Sequence, residues 1–259
     1  MKILIAGATG SIGLHVVETA IEMGHQPIAL VRNRRKVKLL PRDAQVVYGD
    51  VSMPETLTDV VKDIDAVIFT LGSDGQGRIG ARAIDYGGVR NILKLLKSTQ
   101  VRIALMTTIG VTERLSSFNQ RTEVHDWKRR AERLLRASGH PYTIVRPGWF
   151  DYNHENEHKL LMLQGDRRHA GTPDDGVISR KQIAKVLVSA LTNDAAINKT
   201  FELVAERGPE QPDFTPLFAA LQSDNTQKID AIADMDNMPL VDEPECIVRE
   251  LNTFLKQRI

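Results

Sequence analysis

The sequence predicts an α/β fold, a doubly wound parallel sheet with helices on both faces. Three observations predict it. Short, continuously apolar runs recur along the first 150 residues. Helical patterns separate most of them. The first run ends in a glycine-rich turn that leads straight into a helix. A strand that is apolar throughout is buried on both faces. Strands alternating with helices build a parallel sheet with right-handed crossovers.

The elements follow in order. Residues 3–6 form the first strand, which ends in Gly7-Ala8-Thr9-Gly10-Ser11-Ile12-Gly13. A helix follows, with Ile12, Val16, Val17 and Ala20 on one face. Further strands are expected at 27–31, 45–48, 66–70, 102–107 and 142–146, the last closed by Pro147-Gly148. Helical patterns cover 54–61, 83–96 and 127–137. Residues 149–177 are polar and rich in His, Asp, Gly and Arg. Helical periodicity returns at 180–191, a strand is expected at 200–204 and a helix at 214–221. Residues 223–243, rich in Asp, Asn and Met, read as irregular. A last amphipathic helix covers 245–255, with Ile247, Leu251 and Leu255 four residues apart. There is no internal repeat and no low-complexity linker. The reading is one domain over 1–259, with a core at 1–150 and substrate-side insertions and a C-terminal extension in 151–259.

Composition narrows the partners. Hydrophobic residues make up 42% of 259, enough for a large core, and the formal net charge is +1. Whole-molecule attraction to nucleic acid is therefore not expected. Cys246 is the single cysteine, so no intrachain disulfide forms. No apolar run is long enough to span a bilayer, and the first residues lack a signal-peptide pattern. The expectation is a cytoplasmic protein with a small-molecule substrate and no membrane or nucleic-acid partner. Oligomeric state stays open.

The glycine loop carries the first chemistry. Gly7 permits the turn out of the strand, Gly10 lets backbone approach a pyrophosphate, and Gly13 lets the helix pack on the sheet. Free N–H groups at the helix start hold phosphate, and Thr9, Ser11 and Ile12 share the loop. This is the dinucleotide-binding arrangement of a Rossmann fold. NAD-binding chains place a carboxylate about 20 residues further on to hold the ribose 2′-hydroxyl. Here Arg32 stands there, followed by Arg34, Arg35, Lys36 and Lys38. A planar guanidinium suits a 2′-phosphate, so NADP(H) is expected in preference to NAD(H). Asp50 and Val51 after the third strand, and Leu71, Gly72 and Ser73 after the fourth, are expected along the adenosine and pyrophosphate.

These motifs, with Val31-Arg32-Asn33, Gly49-Asp50-Val51, Asp85-Tyr86-Gly87-Gly88-Val89 and Tyr142-Thr143-Ile144-Val145-Arg146-Pro147-Gly148, resemble the atypical short-chain dehydrogenase/reductases. That group contains NmrA-like, flavin/biliverdin reductase-like and quinone reductase-like proteins. The resemblance is close over 1–150 and looser to about 205. It implies a hydroxyl at Thr107 or Thr108, a lysine at Lys128 and cofactor contact by Thr107, Lys128 and Pro147. It also implies a tyrosine four residues before the lysine, where this chain has Val124, and an asparagine where it has Asp85. Without the phenol, a tyrosine-based alcohol dehydrogenase mechanism is not expected. Thr108, Lys128 and the neighbouring His125 are the candidate catalytic residues. Trp149, Phe150, Tyr152 and His154 are the candidate wall for a flat substrate. Two functions fit: an NADPH-dependent reductase of a quinone- or flavin-like acceptor, or a non-catalytic NADP(H)-sensing regulator using its polar C-terminal extension as a partner surface. His154-Glu155-Asn156-Glu157-His158 matches a zinc-binding pattern letter for letter, but no long amphipathic helix is expected there, so no metal site is read.

Overall fold

Ten strands form one mostly parallel sheet in the computed structural model, which describes residues 1–73, 75–96 and 100–257. The first half runs β1 (Lys2–Ala6), α1 (Gly13–Glu22), β2 (Gln26–Val31), β3 (Gln45–Tyr48) and β4 (Ala66–Phe69). Then come α2 (Gly77–Gly80), a π-helical stretch (Ala81–Tyr86), α3 (Gly87–Leu95), β5 (Arg102–Met106), α4 (Ser117–Thr122), α5 (Val124–Ala137) and β6 (Tyr142–Pro147). The remainder is β7 (Trp149–Phe150), β8 (Lys159–Leu163), β9 (Val177–Ile178), α6 (Arg180–Thr192), β10 (Lys199–Glu206), α7 (Thr215–Ala220) and α8 (Glu245–Gln257). The sheet order is β3-β2-β1-β4-β5-β6-β10-β9-β7, with β8 pairing antiparallel to β10.

The double winding follows from side-chain alternation. Ile3 and Ile5 of β1 point to one face, where they meet Val16, Val17 and Ala20 of α1 and Ile183 and Leu187 of α6. Leu4 and Ala6 point to the other, into a core with Ile92 of α3, Leu134 of α5 and Leu251 of α8. The parallel strands therefore read as unbroken apolar runs.

Three expectations change. The helix expected at 54–61 contracts to one 3-10 turn, Pro54–Thr56. The helix expected at 83–96 starts earlier and passes through the π-helical turn before Gly87. The polar segment after residue 148 supplies three short strands, of which β8 lies against β10.

Helix α5 carries Arg129, Arg130, Arg133 and Arg136, and all four arginines are buried. The irregular segment 223–243 covers them. Asp230 pairs with Arg129 at 3.2 Å and Arg133 at 2.7 Å, Glu243 with Arg130 at 2.7 Å, and Asp224 with Arg136 at 3.3 Å. Below them Arg146 of β6 is fully buried between Glu132 at 2.7 Å and Asp234 at 2.7 Å. These acids of the C-terminal extension are thus engaged in ion pairs with the arginines beneath them. Buried guanidiniums demand such pairing, because an unpaired charge there is costly.

Candidate functional site

The site lies at the carboxyl ends of the strands, where the order reverses between β1 and β4. Ligands of open α/β sheets bind at such a switch point. A cleft of about 470 Å³ opens there. Sheet order sets the order of groups along it: Arg32, Gly49 and Asp50 after β2 and β3, the glycine loop after β1, then Thr70 to Ser73 after β4. Thr107, Thr108, Phe118, Val124, Lys128 and Phe150 come from the segments beyond β5 and β6.

The glycine loop is built for close approach. Gly7 has φ +99°, and a Cβ on it would lie 2.7 Å from the Thr70 hydroxyl oxygen. A Cβ on Gly13 would lie 2.0 Å from the Gly7 carbonyl oxygen, so only glycine lets α1 begin against the turn. No side chain caps α1, whose N-cap position is Ile12, whereas Ser179 caps α6 by accepting from the Gln182 N–H. Gly10, Ser11 and Ile12, at the start of α1, line the cleft, and no side chain caps that helix, the condition for holding an anion.

At the β2–β3 end, Arg32 is exposed and its Nε lies 3.9 Å from the Asp50 carboxylate. Asp50 is itself fixed by the Ser52 N–H and hydroxyl at 2.9 and 2.7 Å. Arg34 and Arg35 do not line the cleft. Asn33 caps a 3-10 turn, Arg34–Leu39, that carries them away, and Arg34 lies over the Tyr48 ring at 4.2 Å. Val51 lines the cleft, and its carbonyl accepts from buried Asn91 of α3 at 2.8 Å.

At the β5–β6 end, Lys128 and Asp85 meet. The ammonium lies 2.6 Å from Asp85 Oδ1 and donates to the Leu71 carbonyl at 3.3 Å. Both side chains are buried and both line the cleft. No hydrogen-bond partner other than this ion pair reaches either Asp85 oxygen among the described residues. Asp85 sits in the π-helical turn, a distortion that recurs at functional sites. Val124, in the slot implied for tyrosine, lines the cleft.

The remaining candidates separate. Thr107 donates to Glu132 at 2.7 Å and is buried, so its hydroxyl is committed to the network beneath the cleft. Thr108 is half-buried on the cleft wall and donates to the Ile109 carbonyl at 3.1 Å. His125 does not line the cleft. Its Nδ1 lies 3.3 Å from the Glu113 carbonyl, which makes that nitrogen the donor, and its ring packs against Phe118. Burial lowers the His125 pKa, partly offset by that hydrogen bond. Phe150 lines the cleft; Pro147, Trp149, Tyr152 and His154 do not. Trp149 and Phe150 are strand neighbours and so point to opposite sides, and Trp149 packs edge-on against Tyr152. His154 to His158 runs through turns, with the Glu157 N–H donating to the His154 carbonyl, so the helical spacing that brings two zinc ligands together is missing.

Beneath the floor, Glu132 accepts from Thr107, Arg136 and both sides of the Arg146 fork. Burial alone would raise its pKa; the guanidiniums of Arg146 and Arg136 win and hold it at about 2. Glu202, 3.5 Å from Arg146, goes the other way: burial pushes it up to about 8 against the pull of Arg146. No helix among the described residues is long and apolar enough to cross a membrane.

Residues 7–194 match the family model described as NAD(P)H-binding. The chain belongs to this NAD(P)H-binding family. That match supports the resemblance to the atypical short-chain dehydrogenase/reductases carried by its motifs. It is 26% identical over 211 residues to the photosystem II assembly factor Ycf39 of Synechocystis, covering 80% of this chain and 63% of that protein. It is 29% identical over 223 residues to an isoflavone reductase homolog of Nicotiana tabacum, covering 78% and 67%. The chain thus spans about two thirds of the length of these relatives. A solved structure from Bacillus halodurans, described as an NAD-dependent epimerase/dehydratase, superposes with TM-score 0.71 at 24% identity, covering 85% of this chain and all of that one. That likeness is one of fold.

Part of the lining is not legible in the sequence: Gly75 and Gln76 before α2, Ile84 of the π-helical turn and Phe118 of α4 all face the cleft. Ser73, expected after the fourth strand, and Asp85, a carboxylate in a slot where the resemblance implies an amide, also line it.

Proposed function

We propose that this NAD(P)H-binding protein is an NADPH-dependent reductase of a small, flat, conjugated acceptor, quinone- or flavin-like. The observation that carries the proposal is the cleft itself. An uncapped helix start and Arg32 stand toward one end, and Lys128 among apolar side chains at the other. The glycine loop, where a Cβ would collide, fits a pyrophosphate. Arg32 fits a 2′-phosphate, as its fork is free of any bond shorter than 3.9 Å to Asp50. When bound, the reduced nicotinamide supplies a hydride.

The chain's own groups do the rest. Phe118, Val124 and Phe150 offer apolar surface to a flat ring. An ammonium has three N–H donors; those of Lys128 toward Asp85 and Leu71 fix its head, and one remains for the acceptor oxygen or nitrogen. Lys128 then protonates the acceptor anion left by hydride addition and regains its proton from solvent. Such an acceptor delocalises that anion, so the absent phenol matters less than it would for an isolated ketone. Positioning carries most of the rate.

Val124 in the tyrosine slot also favours a second reading, an NADP(H)-sensing protein without turnover. Absorbance at 340 nm, followed with NADPH and a panel of quinones and flavins, separates the two. Saturable oxidation is expected. Tight NADPH binding with no acceptor reduced would refute the reductase and leave the sensor.

A further inference from the structure

We infer that Asp85 is a specificity-determining residue that selects an uncharged acceptor and turns anionic ones away. The inference rests on the reductase reading for its reaction, but not for its binding test. Among the described cleft-lining residues, the charged ones are Arg32 and Asp50 toward the β2–β3 end and the Asp85–Lys128 pair toward the β5–β6 end.

A lone buried lysine beside an apolar ring pocket would attract a carboxylate, sulfonate or phosphate. Lys128 is not alone. Asp85 lies 2.6 Å from its ammonium, is fully buried, and has no other donor among the described residues to disperse its charge. The pair therefore presents no net charge to the acceptor. An anion reaching Lys128 would have to approach a buried carboxylate that water does not screen, or break an ion pair whose acidic partner would then be stranded. A neutral carbonyl faces neither cost, because it needs only the one N–H that Lys128 has to spare. Phe118, Val124 and Phe150, all on the cleft wall, complete a setting that holds an aromatic ring.

The same geometry says what an uncharged residue at position 85 would do. Asp85→Asn keeps the shape, removes the anion and leaves Lys128 as an uncompensated cation in the cleft. Charge-assisted hydrogen bonding to a lone ammonium should then favour an anionic ring by about 10- to 100-fold.

The test compares 2-methyl-1,4-naphthoquinone with 1,4-naphthoquinone-2-sulfonate as acceptors, using NADPH. Intrinsic reactivity differs between the two, but it cancels when the ratio of their kcat/KM values is compared between wild type and Asp85→Asn. That ratio should move about 10- to 100-fold toward the sulfonate. A parallel calorimetric titration of the NADP⁺ complex with 2-naphthalenesulfonate and with 2-naphthamide needs no turnover. Wild type should prefer the amide and Asp85→Asn the sulfonate. Asp85→Ser is the second variant should the asparagine fold poorly, with retained NADP⁺ binding as the check. Asp85→Asn combined with Lys128→Met should lose the new anion preference.

A wild type that binds the sulfonate as tightly as the amide overturns the inference. So does a variant that binds NADP⁺ normally with an unchanged preference. If no acceptor is reduced by any form, the reductase reading fails, while the titrations still decide the role of Asp85.

Discussion

Replacing Glu132 by glutamine should destabilise the fold by about 3–5 kcal/mol, the cost of breaking a buried ion pair. Stability totals only about 5–15 kcal/mol for an ordinary protein, so much of the margin is at stake. The expected fall in Tm is roughly 6–20 °C. The reason is the number of groups that Glu132 serves. Its two oxygens accept from Thr107, Arg136 and both arms of the Arg146 fork, and the side chain is fully buried. Glutamine keeps the volume but leaves two buried guanidiniums short of an anion. The effect should depend on pH. Because Glu132 is held at about 2 against an ordinary 4.5, its contribution is complete above about 4.5 and is lost as pH falls toward 2. Thermal melts should therefore show the gap between wild type and Glu132→Gln closing between pH 4.5 and 2. A gap that stays constant across that range would mean the carboxylate's charge is not what the arginines need.

Lys128→Met should reduce kcat with a neutral quinone by about 100-fold, the lower end of what a positioned proton donor contributes, because a delocalised acceptor anion needs only modest help. Affinity for NADPH should change less, since the groups proposed for the pyrophosphate and the 2′-phosphate, the glycine loop and Arg32, lie elsewhere along the cleft. The substitution also strands Asp85 without its counter-ion, which should lower stability in the same way. The double variant Lys128→Met with Asp85→Asn separates the two effects: stability should recover while kcat stays low. Stopped-flow oxidation of NADPH and thermal melts on the same samples check both. Recovery of kcat in the double variant would show that Lys128 serves the fold rather than the proton transfer.

The legible part of this molecule was the part written in side-chain period and backbone sterics. Strands β1, β2, β4, β5 and β6 stand out because burial on both faces demands apolar runs, and Gly7 and Gly13 stand out because no other residue fits the turn. The hidden part was pairing over long sequence distance. Arg129, Arg130, Arg133 and Arg136 look like a solvated helix face until Asp224, Asp230 and Glu243, about 90 to 110 residues away, fold over them. The acid-rich stretch at 223–243 was the matching signal, but nothing local ties it to α5. Strand β8 escaped because Leu160 to Leu163 sit in a polar neighbourhood, and their partner β10 comes some 40 residues later. At the site, five clustered basic residues suggested a shared phosphate pocket. Local capping by Asn33 instead turns Arg34 and Arg35 away and leaves Arg32 at the cleft. The π-helical turn that carries Asp85 leaves no mark in a 3.6-residue pattern, because it changes the local pitch rather than the residue types.

If one cleft holds a dinucleotide diphosphate on the glycine loop and its 2′-phosphate on Arg32, the two contacts should separate by mutation. The decisive experiment is calorimetric titration of wild type and Arg32→Asp with NADPH and with NADH at one moderate salt concentration. Wild type should bind NADPH more tightly, and Arg32→Asp should lose about 10- to 100-fold of NADPH affinity while NADH affinity holds. Equal losses for both nucleotides, or no uptake of either by folded wild type, would contradict it.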